Sequence, residues 1–120
     1  VIIVVKGQIL TYIKEKIDFI NEIIDLIRQK IEVLEKHNDV EVEFHLSKPL
    51  RNDNPSVEVR FINSQLVAEA QFWSGKTFDF AVYDNTANEI VESGAGYFES
   101  LMDVDMYIDK IVSLYTSKSD

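Results

Sequence analysis

A chain of 120 residues with 46% apolar residues, four Gly and two Pro has the size and composition of one globular domain, 1–120, with a core of its own, which excludes a disordered or repeat protein. It contains no Cys, which rules out disulfides, thiol catalysis and Cys-type zinc sites and fits a reducing cytoplasm. A formal net charge of -9 argues against direct binding of nucleic acid, whose phosphates need the opposite sign.

Val1 to Val5 is an apolar run that Lys6 interrupts, too short for a signal peptide or a membrane span, so no targeting segment and no membrane contact are expected. Val1 in place of Met fits a start that was removed or lies upstream. Leu10, Ile13, Ile17, Ile20, Ile24, Ile27, Ile31 and Leu34 then recur at alternating spacings of three and four, the period of a helix. That helix is predicted from about Gly7 to Lys36, roughly 45 Å long, with a break allowed near Asn21. Two readings of the stripe stay open. Ile at both seam positions suits a trimeric or tetrameric coiled coil, whereas Phe19, Ile23, Leu26 and Val33 widen it into the face of a helix packed on a sheet.

After His37-Asn38-Asp39 the period changes to two. Val40, Val42, Phe44 and Leu46 alternate with Glu41, Glu43 and His45, and a half-buried strand is expected there. Ser47 to Ser56 reads as a polar loop, and Val57, Val59 and Phe61 against Glu58 and Arg60 as a second strand closed by a turn at Asn63-Ser64. Leu66, Ala68, Ala70 and Phe72 oppose Val67, Glu69, Gln71 and Trp73. After Ser74-Gly75, Phe78, Phe80 and Val82 oppose Thr77, Asp79, Ala81 and Tyr83, which makes this the strongest hairpin in the chain. Asp84 to Asn88 supplies a turn, Glu89 to Glu92 a short strand, and Gly94-Ala95-Gly96 with Tyr97 and Phe98 a further one. Ser100 and Asp103 form a capping box before a final helix with Val104, Ile108, Ile111 and Tyr115 on its buried face, widened by Tyr107, Val112 and Leu114. Ser117 to Asp120 is expected to fray. The predicted fold is α+β: a long N-terminal helix, an antiparallel meander of four to five strands and a C-terminal helix, with both helices on one face of the sheet.

Charge is the least even property of the chain. From Lys76 to Lys110 the intervening residues carry eight carboxylates, Asp79, Asp84, Glu89, Glu92, Glu99, Asp103, Asp105 and Asp109, and no base, a field that attracts cationic partners. Helix capping and the dipole account for Asp103 and Asp105, and a turn for Asp84.

Ser74-Gly75-Lys76-Thr77 ends like a phosphate-binding loop, but Ala70 stands where the first glycine belongs and a strand, not a helix, follows. Gly94-Ala95-Gly96 lacks the last glycine of a dinucleotide fingerprint, since position 99 is Glu. The spacing of Asp103, Asp105 and Asp109 is no calcium loop, because Met106, Tyr107 and Ile108 fill the stretch between them. His37 and His45 have no evident partner, and no Ser-His-Asp constellation is visible. Glu69 and Asp79 share one face of neighbouring strands and imitate a catalytic pair, but exposed solvated acids are far commoner and explain them better. No enzyme, cofactor or metal site is expected. If the helices cover the Phe72, Phe78 and Phe80 face, Trp73 and Tyr83 point outward among Glu69, Gln71 and Asp79, the composition of a surface that binds a basic protein. The alternative is that Trp73 and Tyr83 only cover a sheet edge or a terminal helix.

In order and pattern the chain resembles immunity proteins of bacterial toxin systems, specifically the TriTu type paired with toxins of contact-dependent growth inhibition. The shared features are a long amphipathic helix, a strand ending in Trp73, a turn with Gly75, a strand with Asp79, Val82 and Asp84, and a closing helix from Leu101 to Leu114. Ser74-Gly75 lies one place nearer the Trp than in that pattern. The resemblance implies a non-enzymatic inhibitor that binds a cognate toxin, typically a tRNase-like nuclease, and blocks its active site in the cytoplasm of the producing cell. Combined with the charge, it makes Glu69, Trp73, Asp79, Tyr83, Asp84, Glu89, Glu92 and Glu99 the candidate toxin contacts. The competing expectation is a structural protein that forms homo-oligomers through the Ile-rich helix.

Overall fold

A computed structural model describes residues 2–37, 40–47 and 54–117, with side chains described within 14–32, 34, 40–47 and 54–116. The order is helix α1 (Ile2–His37), strands β1 (Glu41–Leu46), β2 (Ser56–Ile62), β3 (Leu66–Trp73), β4 (Thr77–Asp84) and β5 (Glu89–Tyr97), and helix α2 (Leu101–Ser117). The strands pair antiparallel in sequence order, β1-β2-β3-β4-β5. This is the expected α+β meander, with the strand count at five. Asn38-Asp39, after which the period changes, most of the expected loop between Ser47 and Ser56, the Leu10, Ile13, Val33 and His37 side chains and the fraying end beyond Ser117 lie outside the described residues.

One core joins both helices to one sheet face. Ile20, Ile23, Ile24, Ile27, Ile31 and Leu34 of α1 and Val104, Ile108, Ile111 and Tyr115 of α2 are buried with Val57, Val59, Phe61, Leu66, Ala68, Ala70, Phe72, Phe78, Phe80 and Val82. Phe19, Leu26, Tyr107, Val112 and Leu114 pack around that centre, so both helices bury the wide stripe expected of a helix on a sheet. Lys30 ties the helices together, with its ammonium 2.6 Å from Asp105 and 2.5 Å from Asp109, one turn apart on α2. Tyr115 locks the end of α2 to the sheet, its buried hydroxyl donating to the Phe61 carbonyl at 2.5 Å.

Three expectations change. The first helix starts at Ile2, not near Gly7, and runs unbroken past Asn21. One glycine costs about 1 kcal/mol in a helix, too little to stop hydrogen bonding on both sides of it, and Asn21 sits on the exposed side. The two short strands expected after Asn88 are one strand, β5. Its register slips between Val82, which faces Glu92, and Tyr83, which faces Ile90, so Val91 is the extra residue of a β-bulge. That bulge breaks the alternation on which the sequence reading depended. His45, expected to lack a partner, has its ring 3.2 Å from Glu43.

The glycines of β5 have a packing reason. Gly94 faces Phe80 and Gly96 faces Phe78 across the ladder, and a Cβ at Gly94 would lie 2.8 Å from the Phe80 ring. The two rings fill the space over bare backbone, with Tyr107 stacked on Phe78 at 3.9 Å and Lys110 over Phe80 at 5.7 Å.

Candidate functional site

Because both helices lie on one face, the opposite face of the sheet has no second layer among the described residues. Antiparallel sheets tolerate this when the open side is polar. The pairing registers arrange its outward side chains in rows that cross the strands. One row runs Glu43, Arg60, Glu69, Ala81 and Ser93, and the next runs His45, Glu58, Gln71, Asp79 and Ala95. Beyond the first lie Glu41, Ile62, Val67, Tyr83 and Ile90, and beyond the second Ser56, Trp73, Thr77 and Tyr97. The face thus has an acidic middle, with Ile62, Val67, Tyr83 and Ile90 toward one end and Trp73 and Tyr97 toward the other.

Among the described residues this face carries five carboxylates, Glu41, Glu43, Glu58, Glu69 and Asp79, and a single guanidinium, Arg60. Arg60 lies 2.8 Å from Glu58 and 3.2 Å from Glu69. The hydrogen bond that Arg60 donates to Glu58, with the charges of Glu58 and Glu69, raises its pKa above the ordinary value. One fixed cation shared by two carboxylates leaves the surroundings strongly negative. Asp79 has no ion-pair partner among the described residues.

The eight candidate contacts divide. Glu69, Trp73, Asp79 and Tyr83 all point to the open face, as the alternation of β3 and β4 requires. Trp73 and Tyr83 do not form one anchor, however: Val67 pairs with Tyr83, and Trp73 lies six residues further along β3, about 20 Å away. Asp84 points to the other side and is buried. One of its carboxylate oxygens accepts from the Thr86 and Ala87 amides at 2.8 and 3.1 Å, which makes it the organiser of the β4–β5 turn. Glu92, turned to the helix side by the bulge, pairs with Lys110 at 2.8 Å. Glu89 and Glu99 are exposed outside the rows, at the start of β5 and before α2. Asp103 receives the Glu99 and Ser100 amides at 2.8 and 3.3 Å, half of a capping box.

The acid-only window between Lys76 and Lys110 leaves out Glu41, Glu43 and Glu58, which the registers bring to the same face. The period-two pattern of β1 and β2 was the signal that places them there. Ile90 and Tyr97, respectively 63% and 81% exposed, were hidden by the bulge. Glu69 and Asp79 are diagonal, not directly paired, and lie on an open surface. Ser74 to Lys76 is a hairpin turn, with Lys76 at φ 67° and its amide bonded to the Trp73 carbonyl at 3.0 Å. Among the described residues no group of three or more His, Asp or Glu is placed to hold a metal ion, and no helix is long and apolar enough to cross a membrane.

No protein-family model matches this chain, and no curated protein is similar to it in sequence. What the site offers must therefore be read from its own chemistry. Between Glu69 and Tyr83 the face is not flat. Val67, Glu69, Ala81, Tyr83 and Ile90 enclose a shallow hollow, with the small Ala81 side chain at its base. Tyr83 is steadied by its hydroxyl, which is hydrogen-bonded to Asn88 Oδ1.

Proposed function

We propose that this chain is an immunity protein of the TriTu type, a non-enzymatic inhibitor that binds a cognate toxin of a contact-dependent growth inhibition system in the cytoplasm and blocks its active site. The observation that carries the reading is the sheet face that no described residue covers, where among the described residues five carboxylates outnumber one guanidinium and aromatic side chains stand at either end. A nuclease must present cationic surface to its substrate, and an acidic face of this kind competes for that surface. Opposite charge accelerates the encounter, while Trp73, Tyr83 and Tyr97 supply the desolvated contacts on which affinity depends. The resemblance in element order and in Trp73, Gly75, Asp79, Val82 and Asp84 points to the same class of partner.

The test is expression of the gene beside this one with and without this chain. Growth arrest that this chain relieves, with a complex whose association rate falls as salt rises, is expected. Normal growth without this chain would overturn the reading. One observation favours a second reading, oligomerisation through α1: the helix has 36 residues, about 54 Å, against about 30 Å for the longest strand. Sedimentation separates the two. A monomer supports the inhibitor, whereas a stable trimer or tetramer supports assembly.

A further inference from the structure

We propose that the hollow between β3 and β5 is a receptor for one arginine side chain of a protein partner. This rests on reading the open face as the partner-binding surface, and it names the group that the face selects. The hollow measures about 340 Å³, at the small end of ligand sites. It exists because Ala81 is short beside Glu69 in its row, while Val67 and Tyr83 rise in the next row. The bulge at Val91 turns Ile90 outward to close the far side.

The lining is four apolar or aromatic side chains and one carboxylate, the complement of a long aliphatic stem that ends in a cation. A guanidinium fits better than an ammonium. It is flat enough to stack on the Tyr83 ring, less strongly hydrated, and donates in a fork to a carboxylate. Tyr83 is already held by Asn88, in a turn that Asp84 fixes, so little ordering is needed on binding. Arg60 approaches Glu69 from the β2 side, whereas the hollow lies on the β4 side. Its shorter bond is to Glu58, so Arg60 retains a partner when an incoming guanidinium shares Glu69. A carboxylate has acceptor sites for both.

The experiment is an amide-shift titration of the isotope-labelled full chain with N-acetylarginine amide, beside N-acetyllysine amide and N-acetylcitrulline amide, the last a neutral isostere. Shifts centred on Val67, Glu69, Ala81, Tyr83 and Ile90 are expected, with arginine binding about fivefold more tightly than either control, the scale of one partly exposed charged contact. Glu69→Gln removes that preference. Ala81→Leu, which fills the hollow and keeps Glu69, abolishes the localised shifts. Equal binding of citrulline, or shifts as large around Glu89 and Glu99, would overturn the receptor. If arginine fails here yet Glu43→Lys with Asp79→Lys still slows association with a basic partner, the hollow is wrong and the inhibitor reading survives. A hollow that selects arginine in a chain whose neighbouring gene is harmless leaves the receptor standing and removes the inhibitor reading.

Discussion

The two faces of the sheet are made by the same strands and serve opposite ends. On the helix side, polar groups are matched: Lys30 meets Asp105 and Asp109, Lys110 meets Glu92, and the Tyr115 hydroxyl meets a backbone carbonyl. On the open side one Arg60 serves two carboxylates, and Asp79 stands without an ion-pair partner among the described residues. Acids that fold the chain and acids available to a partner are thus separated by the pleat. Charge counted along the sequence mixes them.

That separation breaks most visibly in the core. Phe72→Ala removes a fully buried ring that touches Phe78 and Phe98, and chemical denaturation should show a loss of about 3–5 kcal/mol. Gly94→Ala pushes a methyl group against the Phe80 ring and should cost about 1–3 kcal/mol. Ser93→Ala, next to it on the open face, should stay within about 0.5 kcal/mol. A smaller effect tests the Tyr115 contact. Burial pushes the phenol pKa up, so the folded state favours the neutral form. That contribution is fully present below about pH 10, the unfolded phenol's pKa, and is lost as pH rises further. Tyr115→Phe should lower stability at neutral pH by about 1–2 kcal/mol and flatten the alkaline fall, as thermal melts from pH 8 to 11 will show. The smallest change is expected on the open face, where Asp79→Asn should leave stability within about 0.5 kcal/mol.

Much of this was legible beforehand. The periods of Ile20 to Leu34 and of Val104 to Tyr115 identified both buried helix faces, and alternation in β3 and β4 put Glu69, Trp73, Asp79 and Tyr83 on one side. Alternation fails where one residue is inserted, so the pattern splits the single bulged β5 into two strands and leaves Glu92 to a partner instead of to Lys110. Asp84 was suspected of shaping a turn, and its inward direction follows from sharing parity with Phe80 and Val82. The hollow was out of reach of the sequence, because it depends on β3, β4 and β5 side chains meeting in register.

The central claim is that partner binding belongs to the open face. The direct measurement is the association rate of the proposed basic partner, taken from the gene beside this one, with two charge-reversed variants at low salt, Glu43→Lys with Asp79→Lys on the open face and Glu22→Lys with Asp25→Lys on exposed positions of α1. Both pairs change net charge equally. The open-face pair should slow association about tenfold, with the α1 pair closer to the unmodified chain, because steering acts at the docking surface. An equal slowing by the two pairs would mean that net charge alone attracts the partner, and would contradict the assignment of the interface to this face.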